Sequence, residues 1–336
     1  MRQIYEKKGR FAKRVNYGVV LYYNNRYICA VFRNKNKDTR PINKQSTNGS
    51  MKNSTAVICA LARDCAQAIQ KNIPRIEALR KTFSECDVLI IENDSKDNTK
   101  VVLQDWAQKS QGVYVICNNF GTITIPTKAN GKVFPTCTYY RIEKMARYRN
   151  MYLEWVEKQT KDYQYVVVLD IDVYWFSPKN IAPIIQKAPE DWGAICANGK
   201  CQRSCFGQFR YYDLYAFLKR KTDKINISCS EEIILQDPYT AVFSAFGGLA
   251  IYKYTAIQGL RYQALPYDDE QIEVQCEHIN LNAGIADRGY KLYIAKNLKL
   301  NAFVFEIPYR IKLFVLKNKH IKSFLVKHHL ANPSPS

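Results

Sequence analysis

The segment YQYVVVLDID, residues 163–172, is an apolar run that ends in two aspartates, Asp170 and Asp172, one residue apart. An apolar run of this length without polar alternation predicts a β-strand that is buried on both faces. Such strands occur in parallel sheets covered by helices, and ligands bind at the carboxyl ends of the strands. The segment therefore predicts a Rossmann-like α/β domain with both aspartates at its ligand-binding edge.

The chain before this segment repeats the same pattern. Buried strands are predicted at AVICALARD (56–64), DVLIIEND (87–94) and VYVICNN (113–119), and helices at residues 65–83, 95–110 and 141–158. Pro74 lies inside the first helical segment and is expected to break or restart it. Strands that alternate with helices predict a mixed, mostly parallel sheet flanked by helices, with right-handed crossovers.

Polar side chains follow each predicted strand, where a ligand would lie. They are Arg63 and Asp64, then Glu92, Asn93 and Asp94, then Asn118 and Asn119, and finally Asp170 and Asp172. The last two carboxylates would repel each other when both are ionised, and a divalent cation removes that conflict. Mg²⁺ and Mn²⁺ prefer oxygen ligands and keep positions for phosphate oxygens. The pair therefore predicts a Mn²⁺ or Mg²⁺ site that holds a diphosphate. The alternative is two solvated acids at the end of a strand.

The net charge of +20 is concentrated at the two ends of the chain. Residues 1–50 carry twelve Lys or Arg and two acids, and residues 307–336 carry six Lys or Arg and no acid. A protein that binds a nucleic acid duplex through its globular domain would be expected to carry the positive charge on that domain and not at the two ends of the chain. We therefore expect no specific nucleic acid partner. The expected division is a basic extension with a hairpin and linker (1–50), a catalytic domain (51–306) and a basic amphipathic segment (307–336).

The C-terminal segment alternates aliphatic and aromatic residues with lysines from Ile311 to Leu330. This pattern is typical of a helix that lies on an anionic membrane surface, and it also suits a helix packed on the domain with a basic outer face. No apolar run is long enough to span a bilayer, and the N-terminus lacks the apolar stretch of a signal peptide. We expect a cytoplasmic protein with peripheral membrane contact through residues 307–336.

Eleven cysteines are scattered along the chain, several of them inside apolar runs. This usage indicates reduced cysteine that packs as a small hydrophobic residue. Cys196, Cys201, Cys205 and Cys229 form an alternative zinc site, although they include no CxxC pair.

The ordered set VICALARD, VLIIENDSKDNT, VVVLDID, AFGGLAIYK and CEHINLNAGIADRGYKLYI resembles the GT-A glycosyltransferases, over residues 55–300. With RIEKMARYRNMYL, CANG and YYDLYAF, it looks most like the bacterial, viral and fungal group that includes the capsule-associated mannosyltransferases. The resemblance implies a GT-A nucleotide-diphospho-sugar transferase fold. It also implies transfer of a hexose from a nucleotide diphosphate sugar to a glycan hydroxyl.

The resemblance also implies roles for individual residues at the donor. Arg63, Glu92 and Asp94 would hold the nucleoside, and Arg149 would reach the diphosphate or the donor sugar. Gly247 and Gly248 would form a bare turn that the acceptor approaches closely. Each has a structural alternative: a helix-capping turn for Glu92 and Asp94, a surface cation for Arg149, and a plain tight turn for the glycines.

Relatives carry Glu-Asp where this chain has Glu277-His278, at the start of a predicted helix. Glu277 is predicted to deprotonate the acceptor hydroxyl, and His278 to act as the base or as a further metal ligand. A hydrogen-bonded structural histidine is the alternative. Asp269, in the acidic cluster 268–270, is predicted to line the acceptor pocket, or else to lie in a solvated loop.

Three other classes of protein compete with this interpretation. An aspartyl-nucleophile phosphohydrolase also has hydrophobic residues before Asp-x-Asp, but on its first strand. A sugar nucleotidyltransferase would need a Gly-rich loop after its first strand, where this chain has ALARDCAQ. A nucleic-acid-binding protein would keep salt-sensitive affinity without Asp170 and Asp172.

Overall fold

The structure is a computed structural model that describes residues 51–122, 132–202, 208–227, 233, 235 and 237–305, and the backbone of 19–23 and 26–30. The chain divides into two units, Met1–Thr47 and Asn48–Ser336. In the first unit, strands β1 (Val19–Tyr23) and β2 (Arg26–Ala30) pair antiparallel, in the region where the sequence predicts a hairpin. The predicted linker and the basic segment 307–336 lie outside the described residues.

The second unit contains the sheet and its helices. Its strands are β3 (Met51–Ala62), β4 (Phe83–Asn93), β5 (Val113–Asn118), β6 (Tyr165–Leu169), β7 (Trp175–Phe176), β8 (Trp192–Gln202), β9 (Phe209–Tyr211), β10 (Tyr239–Val242), β11 (Leu249–Lys253) and β12 (Lys291–Phe303). Its α-helices are α1 (Ala66–Arg80), α2 (Thr99–Lys109), α3 (Tyr139–Glu157), α4 (Ile181–Gln186), α5 (Tyr254–Ile257) and α6 (Glu277–Asp287).

The main path of the sheet has the order β10-β12-β8-β11-β6-β3-β4-β5, with β7 beside β12 and β9 beside β8. The four strands predicted from the sequence, β3 to β6, are neighbours and run parallel. Strand β11 runs antiparallel between β6 and β8, and β8 and β12 are parallel to each other. The predicted mixed, mostly parallel sheet flanked by helices is confirmed.

Each central strand packs on both of its faces. Val166 and Val168 of β6 belong to one buried cluster, which includes residues of α3 and α6. Val167 and Leu169 belong to a second cluster on the opposite face, with residues of α1, α2 and α4. Burying a side chain of this size stabilises the fold by about 1.5–3 kcal/mol, which explains a strand without polar positions.

Helix α1 corrects one prediction, because it runs without a break through Pro74. Proline in a helix interior removes one backbone hydrogen bond and costs about 3 kcal/mol. Ile69, Ile76 and Leu79 are fully buried on both sides of Pro74, so packing against the sheet holds the helix together.

The cysteines in the described part of the chain are free thiols. Cys59 and Cys196 are fully buried in strands, as the sequence indicated, whereas Cys117 is exposed and does not pack as a core residue. Cys205 and Cys229 of the alternative zinc site lie outside the described residues. Among the described helices, none has the length and apolar character needed to cross a bilayer.

Candidate active site

The turn that carries Asp170 and Asp172 is held in place by the turn before the neighbouring strand β11 and by helix α1. The backbone N–H of Asp170 donates a hydrogen bond to the Gly248 carbonyl at 2.9 Å. The fully buried side chain of Asn72 donates from Nδ2 to the carbonyl oxygens of Ile171 at 2.9 Å and Val173 at 2.7 Å. The aspartates therefore project from a backbone that neighbouring elements fix.

The two carboxylate oxygens of Asp170 have different neighbours. Oδ2 accepts a hydrogen bond from the Tyr212 hydroxyl at 3.2 Å, and Oδ1 lies 3.7 Å from Nη2 of Arg149. Arg149 is itself buried on α3, and its Nε donates to Oε1 of Glu277 at 2.9 Å. One guanidinium thus joins the Asp170 carboxylate to the first residue of α6.

Burial raises the pKa of Asp170 to about 7, with Arg149 opposing the shift and Asp172 and Asp213 adding to it. Desolvation by the surrounding protein also raises the pKa of Asp172, although its side chain reaches solvent. The pKa of Asp213 is raised to about 7 by burial and by Glu277, against the effect of Arg149. One arginine is therefore surrounded by more carboxylates than it neutralises, so full ionisation is unfavourable unless another positive charge is present.

This arrangement fits a divalent cation at Asp170 and Asp172. Mg²⁺ is commonly bound by one or two carboxylates together with substrate phosphates, and a cation there would offset the raised pKa of both residues. Within the ranges that the structure describes, no three His, Cys, Asp or Glu side chains form a group that could hold a metal. His278 is accordingly not assembled with the two aspartates as a third ligand.

A cleft of about 750 Å³ opens beside Asp172. One wall is the start of α1 with the loop before it, and the other is the end of β12 with Tyr174, Phe303 and Phe305. A volume of this size is in the range that small-molecule sites occupy.

The loops after β3 and β4 are tied together beside this cleft. The Asp64 N–H donates to Oγ of Ser95, and the Ala66 N–H donates to Oδ2 of Asp97. Glu92 is fully buried, and its Oε1 accepts from the Ser95 N–H at 2.9 Å. Glu92 closes the turn after β4, but Ser95 precedes helix α2, so this contact is not a helix cap. The role of Glu92 toward a nucleoside stays a prediction.

Asp94 and Arg63 meet at the loop that follows β5. The Asp94 carboxylate accepts hydrogen bonds from the N–H groups of Gly121 and Thr122 and from the Thr122 hydroxyl. Although desolvation opposes them, these bonds hold the pKa of Asp94 well below its usual range. Nη2 of Arg63 donates to the Thr122 carbonyl at 2.6 Å. Both side chains predicted for the nucleoside thus fix this loop.

Gly247 and Gly248 have left-handed φ angles of +67° and +84°. A Cβ on Gly247 would lie 2.3 Å from the Ala197 carbonyl oxygen, and one on Gly248 would lie 3.2 Å from the Tyr212 ring. The protein's own backbone and side chains therefore require these glycines. Their predicted role, to admit an acceptor, is not needed to explain them and stays a prediction.

His278 is buried in an aromatic environment. Its ring stacks on Phe246 at 4.0 Å between centroids and meets Tyr262 edge-on at 5.4 Å. Neither ring nitrogen has a hydrogen-bond partner among the described residues. Burial, together with the charge of Arg149, lowers its pKa well below the usual value, so the ring is neutral. The structural alternative of a hydrogen-bonded histidine does not match this environment.

Asp269 lies in an exposed loop, away from the carboxylates around Arg149. Its Oδ1 accepts from the N–H of Gln271 at 2.8 Å, and neighbouring Glu270 pairs with Lys132 at 2.7 Å. No described contact joins this loop to Asp170, which agrees with the solvated-loop alternative.

The sequence did not single out three residues that the structure brings to the site. Asn72 lies in a predicted helix without any motif, so the sequence around it does not predict its contact with the turn that carries Asp170 and Asp172. Tyr212 and Asp213 fall within YYDLYAF, a segment that contributed only to the resemblance. Asp213 has φ +65°, a left-handed value that bulky residues avoid and aspartate tolerates.

The central parallel strands, with two aspartates at the carboxyl end of β6 beside a cleft, match the arrangement expected for the nucleotide-sugar glycosyltransferase class of α/β proteins. A family model described as Cryptococcal mannosyltransferase 1 matches residues 55–282, more than half of the chain. The chain belongs to this family of glycosyltransferases.

Three solved structures are similar to the chain. The mannosyltransferase PcManGT from Pyrobaculum calidifontis with GDP-Man and Mn²⁺ has TM-score 0.43 and 15% identity, covering 83% of this chain and 65% of that one. TarS residues 1–349 from S. aureus with UDP-GlcNAc has TM-score 0.43 and 12% identity, covering 80% and 61%. GalNAc-T7 with UDP, GalNAc and Mn²⁺ has TM-score 0.41 and 14% identity, covering 81% and 50%.

In each of these three pairs the matched part is less than two thirds of the solved chain. A search of curated protein sequences gave no match.

Proposed function

We propose that the chain transfers a hexose from a nucleoside diphosphate sugar to a hydroxyl group of a glycan. The observation that carries the proposal is the pair of carboxylates Asp170, which is partly buried, and Asp172, which is exposed, on a fixed turn beside a cleft of about 750 Å³. Family membership supports the reaction class. The phosphohydrolase and nucleotidyltransferase alternatives have no comparable support.

Asp170 and Asp172 would hold Mn²⁺ or Mg²⁺. Bound there, the cation supplies positive charge for the departing nucleoside diphosphate. Arg149 already neutralises part of the Asp170 charge, and it is the buried cation nearest to the pair among the described contacts. We assign to Arg63, Glu92 and Asp94 the nucleoside side of the donor, with Asp94 and Arg63 acting through the loop that ends at Thr122.

Glu277 is the proposed proton acceptor. The acceptor O–H bond breaks and its proton passes to the Glu277 carboxylate, while the oxygen forms the new bond to the anomeric carbon. The bond between that carbon and the diphosphate oxygen breaks, and its electron pair leaves with the nucleoside diphosphate. Arg149 orients the Glu277 carboxylate through Oε1. The alternative base is His278, whose ring nitrogens have no hydrogen-bond partner among the described residues, although its lowered pKa makes it the weaker proton acceptor.

A lipid-linked or protein-linked glycan fits the same proposal as acceptor. We also propose peripheral membrane contact through residues 307–336, because six Lys or Arg lie there among aliphatic residues. Cytoplasmic residence is part of the same proposal.

The test is a thermal-shift panel of GDP, UDP and their sugars, with and without Mn²⁺, on wild type and on Asp172→Ala. A ligand at about 100 times its Kd adds about 2.7 kcal/mol, so at least one nucleotide should raise the Tm of wild type by several degrees when Mn²⁺ is present. Asp172→Ala should lose that shift.

Asp105→Ala is the matched control, since Asp105 is exposed on α2 and its ion pair within the described residues is with Lys109. It should keep the full shift. The proposal fails if no nucleotide shifts the wild type, or if Asp172→Ala keeps the Mn²⁺-dependent shift.

A further inference from the structure

We infer that Tyr212 is a positioning residue that fixes the orientation of the Asp170 carboxylate for a divalent cation. The inference rests on the proposed function of Asp170. Its basis is the hydrogen bond of 3.2 Å that the Tyr212 hydroxyl donates to Oδ2, together with the way the surrounding backbone holds Tyr212.

The Tyr212 ring packs on the same glycine that holds the backbone of Asp170. Gly248 accepts the Asp170 N–H at 2.9 Å, and a Cβ at Gly248 would lie 3.2 Å from Cε1 of Tyr212. Gly248 therefore contacts both the backbone of Asp170 and the tyrosine that bonds the Asp170 carboxylate.

The backbone of Tyr212 is fixed by a second glycine. Its N–H donates to the Gly199 carbonyl at 2.9 Å. Gly199 lies against Gly247 so closely that a Cβ on it would be 2.1 Å from the Gly247 carbonyl oxygen. Gly199, Gly247 and Gly248 therefore let β8, the segment after β9 and the turn before β11 approach closely, and Tyr212 contacts both Gly199 and Asp170 there.

The hydrogen bond from Tyr212 helps to fix the orientation of the Asp170 carboxylate. Oδ2 faces the Tyr212 hydroxyl and Oδ1 faces Arg149 at 3.7 Å, so rotation of the carboxylate would break one contact or the other. Partners that orient a metal ligand typically change metal affinity by about 10- to 100-fold when they are removed. Loss of the Tyr212 hydroxyl should have an effect of this size.

The neighbouring Tyr211 provides a matched control. It is buried, and its hydroxyl donates to the Ala197 carbonyl at 3.3 Å and not to Asp170. Tyr211→Phe and Tyr212→Phe each remove one phenolic hydroxyl from adjacent positions. Only the second changes the surroundings of the proposed cation ligand.

The experiment measures Mn²⁺ affinity by electron paramagnetic resonance, with Mn²⁺ alone and with saturating GDP, at 10 °C below the lowest Tm in the set. Tyr212→Phe should weaken Mn²⁺ binding by about 10- to 100-fold, and Tyr211→Phe should leave it within about twofold of wild type. Tm is recorded for both, so a general loss of stability is separated from a loss of metal affinity.

Asp170→Asn separates the two hypotheses. If it leaves Mn²⁺ binding unchanged, the proposed function of Asp170 is wrong. If it abolishes binding while Tyr212→Phe binds Mn²⁺ as wild type does, only the role of Tyr212 is overturned. Equal weakening by Tyr211→Phe and Tyr212→Phe would also overturn it, because the effect would then be structural.

Discussion

Nδ2 of Asn72 donates a hydrogen bond of 2.9 Å to the carbonyl oxygen of Ile171, the residue between the two aspartates. The same nitrogen donates to the Val173 carbonyl at 2.7 Å, so both amide hydrogens are used. The Asn72 Oδ1 accepts from Nη1 of Arg75 at 2.8 Å, which sets the orientation of the amide. Helix α1 therefore supports the proposed cation site from the face opposite Arg149.

Asn72→Asp should destabilise the fold and weaken Mn²⁺-dependent nucleotide binding. The substitution replaces a double donor by a carboxylate that faces two carbonyl oxygens in a fully buried position. Leaving buried groups unsatisfied costs about 1–3 kcal/mol, and more when one is charged. Urea denaturation measures the loss. Gln70→Ala, on the exposed face of the same helix, should change stability by less than about 0.5 kcal/mol.

The pKa of Asp170 predicts how pH affects the protein without metal. Its folded pKa of about 7 lies above the usual value of 3.8. The folded state therefore holds a proton that the unfolded state has released, and this contribution to stability is full below about pH 4 and lost as pH rises through 7. Between pH 5 and 8, the Tm of the metal-free wild type should fall relative to Asp170→Asn.

Mn²⁺ should reverse this dependence, because it competes with the proton for Asp170. Apparent Mn²⁺ affinity should drop by about tenfold per pH unit below 7 and level off above it. Isothermal titration calorimetry in two buffers of different ionisation enthalpy would detect the released proton. A pH-independent Mn²⁺ affinity between pH 5.5 and 7 would contradict the assignment of Asp170 as a ligand.

Asp213 is held in a left-handed backbone conformation at φ +65°. Glycine adopts this conformation without the cost of roughly 1 kcal/mol that a Cβ brings. Asp213→Gly should therefore keep or raise the Tm, whereas Asp213→Ala should lower it. If the carboxylate takes part in the site with Arg149 and Glu277, both variants should lose activity alike. Equal Tm values for the two would show that the backbone at 213 is not strained.

The central strands were predictable because a strand that is buried on both faces has an uninterrupted run of apolar residues. YVVVL and VLII carry no polar position, and the structure places these strands side by side. The predicted helix break at Pro74 was wrong because the packing of Ile69 and Ile76 outweighs the free-energy cost of a proline inside a helix. The local sequence does not show that packing. Asn72 and Tyr212 were missed for a related reason, since each acts through a contact between residues far apart in the chain.

Glu277→Gln is the sharpest test of the chemistry. Glutamine keeps the shape of the side chain and an oxygen that can accept from Nε of Arg149, which now lies 2.9 Å from Oε1 of Glu277. It cannot take a proton from an acceptor hydroxyl. Turnover should fall by roughly 10²- to 10⁴-fold while donor affinity changes little. The Tm must be recorded, because removing one charge of a buried ion pair costs about 3–5 kcal/mol.

His278→Phe distinguishes the competing assignments of the base and the metal ligand. Phenylalanine keeps the stacking on Phe246 and the edge contact with Tyr262 but removes both ring nitrogens. If His278 binds the cation, the variant should need more Mn²⁺, and added metal should restore part of the rate. If it is the base, turnover should fall at every Mn²⁺ concentration. Near-normal rates for both His278→Phe and Glu277→Gln at limiting Mn²⁺ would rule out both residues and move the search for the base to Asp213, whose pKa is influenced by Arg149 and Glu277.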